Sequence, residues 1–189
     1  MRVVDDTTVD AMVSAFLVAE VTSPRFGERV RRTIASIGAE LELVTHPDIS
    51  DPVANGWRRR VLSTCRGFPD REVFTGVPPD TLWQRVLISP SDLDSIRYIN
   101  WGWWLEVTGG SRKPADALHY YRDNPSCRAI VHDILAGHMP PPIIVVARPG
   151  PTGLVVLEGH LRLTAMLLAR AHLPPELPAL LGTSPTMDR

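Results

Sequence analysis

Short apolar runs in the last third of the chain predict two buried strands. The first run covers residues 143–147 and the second covers residues 154–157. Both are rich in Val, Ile or Leu and are bounded by Pro and Gly, as strands covered on both faces usually are. The segment between them, RPGPTG at 148–153, predicts a turn. A helical pattern begins directly after the second run and continues to Ala171. We therefore expect strand, turn, strand and helix in immediate succession.

The first eighty residues have helical periodicity instead. Apolar residues recur at i, i+3, i+4 and i+7 within residues 9–17, and Asp51-Pro52 is a typical helix start before a further amphipathic stretch. The three arginines at 58–60 lie beside an apolar stripe, which is typical of a solvated helix face. We predict a helical appendage over residues 1–80, packed on a second domain over residues 81–189.

The second domain mixes both kinds of pattern. Residues 82–88 have strand composition, and residues 177–181 predict an edge strand. Helical patterns cover three segments, 101–108, 114–121 and 125–136. The predicted fold class is therefore α+β, a small mixed sheet flanked by helices.

Three tryptophans, Trp101, Trp103 and Trp104, fall within one predicted helix. Three such side chains in a short helix cannot all face a single core. Three roles for these tryptophans remain open: they pack against the N-terminal helices, line a cleft, or form a subunit contact in a homodimer.

Composition is typical of a globular protein. The 189 residues are 44% hydrophobic and 22% charged, with a net charge of −1, which gives no bulk attraction to nucleic acid or to an anionic membrane. Two cysteines lie far apart, the N-terminus does not resemble a signal peptide, and no apolar run approaches a membrane span. We expect a cytoplasmic protein without a nucleic-acid or membrane partner.

The junction between the second strand and the following helix predicts an anion site. Its sequence is Glu158-Gly159-His160-Leu161-Arg162, and these five residues are called the box below. A strand that turns through glycine into a helix places free backbone N–H groups and the positive helix end at one point. Phosphate suits such a point, and an arginine in the first turn can donate to two phosphate oxygens.

The box resembles the phosphate-binding box of the ParB/sulfiredoxin-like superfamily. Its acid-Gly-His-x-Arg pattern is similar to the Asp-Gly-His-x-Arg of the free serine kinases, whereas ParB proteins carry Gly-Glu-Arg-Arg and sulfiredoxins Gly-Cys-His-Arg. Upstream, Ser111-Arg112-Lys113-Pro114 resembles the first box of ParB. The resemblance covers roughly residues 82–183 and implies a nucleotide-binding domain with a ParB/sulfiredoxin-like core.

Other chemistries have less support in the sequence. The six histidines lack metal-ligand spacing, and no serine has the context of a hydrolase nucleophile. Sulfiredoxin activity needs a cysteine after the box glycine, where this chain has His160. Nucleotide phosphate binding remains, with or without transfer.

The resemblance implies a role for each residue of the two boxes. Glu158 is a general base or magnesium ligand, and His160 a phosphate contact or proton carrier. Glu106 is a second candidate base. The remaining candidates bind the nucleotide: Ser111, Arg112, Lys113, Gly159 and Arg162.

Three functions therefore stay open at this point. The first is a kinase that transfers phosphate from a nucleotide such as ATP or ADP, with magnesium as a candidate companion, to a hydroxyl of an amino acid or related metabolite. The second is a nucleotide-gated binding module of ParB type, which would hold CTP or ATP without transfer; a segregation protein is disfavoured because no DNA-binding domain follows the box helix. The third is a nuclease.

Overall fold

The computed structural model describes residues 1–150 and 153–189. These residues form a five-stranded mixed sheet and eight α-helices, which confirms the α+β class. Of the predicted turn at 148–153, residues 151 and 152 lie outside the described residues. The strands are β1 (Arg2–Thr7), β2 (Leu82–Ile88), β3 (Ile143–Ala147), β4 (Val155–Glu158) and β5 (Leu177–Thr183). The helices are α1 (Val9–Val21), α2 (Gly27–Ser36), α3 (Glu42–Thr45), α4 (Pro52–Arg66), α5 (Gly102–Val107), α6 (Leu118–Tyr121), α7 (Pro125–Leu135) and α8 (His160–Leu168).

The sheet has the strand order β1-β2-β5-β3-β4. The β5 and β3 strands run parallel, and the other neighbouring pairs are antiparallel. Beyond β4, Arg97 forms an isolated parallel bridge with Val155. The two apolar runs that predicted buried strands are β3 and β4, and every residue of β3 is buried.

Helices cover both faces of the sheet. Alternate residues of β3 face opposite sides: Ile144 and Val146 belong to a core shared with α1, α2 and α4, whereas Val145 belongs to a core shared with α7 and α8. Trp104 packs against both cores. The box, at the end of β4, therefore lies where the two layers meet.

The N-terminal region contributes more than helices. Residues 2–7 form β1, an edge strand that pairs with β2, and the helices that follow form one whole layer over the sheet. Segment 67–80 also places Val73 and Phe74 in that core. The division at residue 80 remains a prediction, but the two predicted parts share one sheet.

Two local predictions were wrong. Residues 177–181 were expected at an edge, but β5 lies between β2 and β3, with the proline at 178 just before the first β3 pairing. Arg58 was expected on a solvated face, but it is 1% exposed and donates to the Leu43 carbonyl at 3.1 Å and to the Asn55 side chain. Arg58 also donates to the Asp48 carbonyl at 2.5 Å, so it satisfies carbonyls of α3 and of the loop that follows.

Helix starts follow the expected chemistry. The Asp51 carboxylate accepts from the N–H groups of Val53 and Ala54 at 2.8 and 3.1 Å, and Asn124 accepts from Cys127 at 3.0 Å. Among the described residues, none of the helices combines the length and apolar character needed to cross a membrane.

Candidate functional site

The box forms the predicted strand-to-helix turn. β4 ends at Glu158, Gly159 has a φ of +99°, and α8 begins at His160. An added Cβ at Gly159 would lie 2.8 Å from Cγ2 of Ile143, so the turn needs glycine for both its conformation and its close contact. No side chain caps α8. The first N–H groups of the helix therefore have neither an intrahelical partner nor a capping side chain.

Arg162 is committed to contacts inside the protein. Its Nη2 donates to Glu158 Oε1 at 2.9 Å and its Nη1 to the Pro141 carbonyl at 3.1 Å. The two side chains of the ion pair are 10% and 17% exposed. The guanidinium therefore fixes the Glu158 carboxylate and neutralises its charge beside the free end of α8.

This ion pair belongs to a larger group of buried charges. Glu20, on α1, forms an ion pair with Arg66, on α4, and both side chains are less than a tenth exposed. Burial, reinforced by the negative charge of Glu158, raises the pKa of Glu20 to about 8, although Arg66 and Arg162 oppose the rise. We call Glu20, Arg66, Glu158 and Arg162 the buried charge cluster. It connects the box to the N-terminal helices.

The His160 imidazole lies in an aromatic stack. Its ring centroid is 4.8 Å from that of Trp104, with 12° between the planes, and 5.8 Å from that of Tyr98. Burial, helped by the charges of nearby arginines including Arg66 and Arg162, lowers the pKa of His160 to about 3. The ring is therefore neutral, and its Nε2 atom is enclosed without a hydrogen-bond partner among the described residues.

Arg112 lies beside the same aromatic stack. Its Nε donates to the Tyr98 carbonyl at 2.7 Å, and its Nη2 is enclosed without a partner among the described residues. Desolvation lowers the pKa of Arg112. Desolvation also lowers the pKa of Arg189, to about 10, with a smaller contribution from the charge of Arg112. Arg189 in turn contributes to the low pKa of His160. These three cationic or polar groups therefore share one electrostatic environment.

We call Ser111, Arg112 and Lys113 the first basic segment. Its other two residues, Ser111 and Lys113, lie apart from the box. The Ser111 hydroxyl donates to Asp116 and accepts from the Lys113 N–H at 3.0 Å. Lys113 is exposed and lines a cavity of ≈ 220 Å³ together with Arg97 and Leu167. Leu167 lies near the end of α8, about 10 Å along the helix from His160 at 1.5 Å per residue. Lys113 therefore lies at the opposite end of α8 from the box.

Glu106 is exposed on α5, and none of the described contacts joins it to the box. Within residues 1–150 and 153–189, no group of three or more His, Cys, Asp or Glu side chains is placed to hold a metal ion. The structure thus brings together Glu158, Gly159, His160 and Arg162, with Arg112 close to the same aromatic stack.

Sequence reasoning missed Glu20, Arg66 and the stacking partners of His160. One signal was available: Glu20 lies four residues after Phe16 on the buried face of α1, where an acid is unusual. Arg66 follows Leu62 by four residues on the buried face of α4 in the same way. Nothing in the sequence pairs these two positions.

Comparison with known proteins adds no relative. No family model matches the sequence, and neither a curated protein nor a solved structure is similar to it. The resemblance to the ParB/sulfiredoxin-like superfamily therefore remains a prediction.

Proposed function

We propose that the protein binds the phosphate groups of a nucleotide at the start of α8 and transfers one phosphate to a hydroxyl of a small molecule such as an amino acid. The proposal includes a ParB/sulfiredoxin-like core for residues 81–189. One observation carries it: α8 begins on a left-handed glycine, with no side chain on its free N–H groups.

Electrostatics around the turn favour an anion. The helix end contributes a partial positive charge, and the neutralised Glu158 does not repel a phosphate as a free carboxylate would. Arg112 supplies a guanidinium nitrogen, and His160 supplies an uncharged ring nitrogen. Neither nitrogen has a hydrogen-bond partner among the described residues. Buried polar atoms of this kind are usually satisfied in proteins. Both atoms are enclosed, so the proposal requires the side chains around them to open when the ligand binds. A phosphate oxygen on Arg112, and a phosphate or sugar hydroxyl on His160, would then satisfy them.

The transfer step assigns one role to Glu158. The acceptor hydroxyl oxygen forms a bond to the terminal phosphorus as the bond to the bridging oxygen breaks, and the shortened nucleotide leaves. Glu158 takes the hydroxyl proton, while Arg162 holds the carboxylate in position at 2.9 Å. Positive charge near the moving phosphoryl group stabilises it, which is the main requirement of phosphoryl transfer.

Magnesium enters the proposal bound to the nucleotide. This ion commonly binds through one or two protein carboxylates together with substrate phosphates. Glu158 is the carboxylate of the box, so it is the candidate protein ligand in the alternative in which it does not act as the base. One carboxylate that is already paired with Arg162 cannot hold the ion and take a proton together.

A nucleotide-gated module without transfer is the second candidate, and one observation favours it. The buried charge cluster connects the box with α1 and α4. Negative charge arriving at the start of α8 would change the electrostatic energy of Glu20 and Arg66, and so the packing of the N-terminal layer. Binding alone could alter a surface of the protein in this way.

The test measures binding and turnover on the same preparations. Wild-type protein, Glu158→Gln and Glu106→Gln are titrated with ATP, ADP and CTP in magnesium. They are then incubated with each labelled nucleotide and a panel of amino acids and hydroxylated metabolites. For a kinase, Glu158→Gln lowers turnover by about 10²–10⁴, the usual size of a general-base contribution, whereas Glu106→Gln retains wild-type turnover.

The outcomes separate the candidates. Nucleotide binding without transfer by the wild-type protein would favour the gated module, and Glu158→Gln would then leave affinity equal or slightly higher. Wild-type turnover in Glu158→Gln with loss in Glu106→Gln would move the catalytic role to Glu106. If none of the nucleotides binds, the proposal is wrong. Far-ultraviolet circular dichroism and an unfolding curve for each variant show that it is folded in the assay.

A further inference from the structure

A continuous series of aromatic rings leads from the box to the surface. The ring centroid of Trp104 lies 4.8 Å from that of His160 and 5.8 Å from that of Tyr121. The successive planes differ by only 12° and 30°. Trp103, the neighbour of Trp104 on α5, donates from its indole Nε1 to the Tyr121 hydroxyl at 3.0 Å.

The series ends in an exposed aromatic pair. Trp103 and Tyr120 are each 47% exposed, and their rings meet edge to face at a centroid distance of 5.3 Å. The hydrogen bond to Tyr121 and the contact with Tyr120 fix the orientation of the indole. An exposed indole that is already held in one orientation loses little entropy when a flat ring stacks on it.

We propose that the base of a purine nucleotide stacks on Trp103 beside Tyr120, while its phosphates lie at the start of α8. This inference rests on the proposed function, because the phosphate position comes from it. The rings of Tyr121 and Tyr120 are 5.1 Å apart, so three ring-to-ring steps lead from His160 to the exposed pair. The proposal requires the sugar and phosphates of the nucleotide to span these steps along the protein surface.

Ring chemistry selects the occupant. Stacking on an aromatic side chain depends on the flat face of the base rather than on its edge groups, so all bases stack. A purine covers more of the indole than a pyrimidine and buries more apolar surface. The pair offers two rings at a right angle, which suits one flat ligand better than an extended protein surface.

The test compares nucleotides with a ligand that has no base. Wild-type protein and the variants Trp103→Ala, Trp103→Phe and Trp57→Ala are titrated with ATP, CTP and inorganic tripolyphosphate. Trp57 is the matched control because it is a 38% exposed tryptophan on α4, next to Arg60 and away from the series. Intrinsic fluorescence reports stacking directly, and calorimetry gives the affinities.

The wild-type protein should bind ATP more tightly than CTP, and both more tightly than tripolyphosphate. Trp103→Ala should weaken ATP binding roughly 10- to 100-fold and leave tripolyphosphate binding unchanged. Trp103→Phe should retain most of the ATP affinity, and Trp57→Ala all of it.

Two results would overturn the stacking site while leaving the phosphate site intact. One is tripolyphosphate binding as tight as ATP binding in the wild-type protein, and the other is unchanged ATP affinity in Trp103→Ala. An equal loss of ATP and tripolyphosphate in Trp103→Ala, recovered in Trp103→Phe, would also overturn it, because the residue would then act through the fold. Failure of wild-type protein to bind either ligand would overturn the proposed function and this inference together.

Discussion

The box and the first basic segment have similar sequences and very different surroundings. The box contains a glycine and an arginine, and the first basic segment follows the pair Gly109-Gly110; each lies at the start of a helical pattern. The box opens the nine-residue helix α8, and its arginine side chain is 10% exposed. The first basic segment opens a four-residue 3₁₀ turn, Pro114–Ala117, and its lysine is exposed. The arginine of the box therefore holds the fold together, whereas in the first basic segment Lys113 is exposed and Arg112 donates to the Tyr98 carbonyl.

The difference arises from what precedes each segment. Before the box comes β4, whose first three residues are all buried, so the chain enters α8 from inside the protein. Before the first basic segment come Gly109 and Gly110, both exposed and both with positive φ. The arginine of the box is thus buried with a carboxylate where a buried strand leads into the turn, whereas Lys113 is exposed where two exposed glycines precede it.

The largest expected effect concerns Arg162. Arg162→Met removes one partner of a buried pair and leaves Glu158 charged and uncompensated, which costs about 3–5 kcal/mol of unfolding free energy. Lys113→Met in the first basic segment should change it by no more than about 0.5 kcal/mol. Urea unfolding followed by circular dichroism measures both.

A double variant tests the reason for that loss. Glu158→Leu combined with Arg162→Met removes both charges and should recover most of the stability lost in Arg162→Met alone. Equal losses in the single and double variants would show that Arg162 stabilises the protein through its contact with Pro141 instead.

A smaller effect separates the two glycines. Gly159→Ala and Gly110→Ala both force alanine into a left-handed conformation, at about 1–2 kcal/mol each. The new Cβ at 159 also meets Ile143 at 2.8 Å, whereas that at 110 meets nothing within 4 Å. Gly159→Ala should therefore be less stable than Gly110→Ala by roughly a further 1–3 kcal/mol. Equal unfolding free energies would mean that β3 moves aside without cost.

The sequence predicted those elements whose burial shows in a continuous apolar run. Residues 143–147 are apolar without interruption and form β3, and Gly159 at the end of an apolar run begins α8 as expected. By contrast, β1 was not predicted, because five of its six residues are exposed and it pairs with β2 alone. Asp5 and Asp6 support that pairing through Arg85 and Gln84, which no apolar pattern can reveal.

The candidate site was predictable only in part for a related reason. The residues of the box are contiguous, so their placement follows from one turn. The partners of the box come from distant positions: Glu20 and Arg66 are separated by 46 residues, and Trp104 reaches His160 from α5. Whether a predicted arginine faces solvent or a carboxylate depends on those partners. In the structure Arg162 donates to the Glu158 carboxylate, whereas the sequence alone predicted that it binds phosphate.

The smallest expected effect is a dependence of stability on pH that originates in the buried charge cluster. The pKa of Glu20 is about 8 in the folded protein, above its ordinary value of 4.5. Glu20 therefore binds a proton more tightly when folded, and its stabilising contribution is lost as the pH rises toward 8. His160 acts in the opposite direction, because its folded pKa of about 3 lies below 6.5. Its contribution increases between pH 3 and 6.5 and is then constant.

The two contributions oppose each other between pH 4.5 and 6.5. Above pH 6.5, of these two contributions only the stabilising contribution of Glu20 still changes with pH. The unfolding free energy should therefore fall above pH 6.5 by up to about 1.4 kcal/mol per pH unit. Glu20→Gln should abolish this fall. The matched control is Asp116→Asn, which alters an exposed carboxylate bonded to Ser111 in the first basic segment and should keep the fall. Urea unfolding at pH 6.5, 7.25 and 8 measures the slope. A slope that persists in Glu20→Gln would place its origin outside the buried charge cluster.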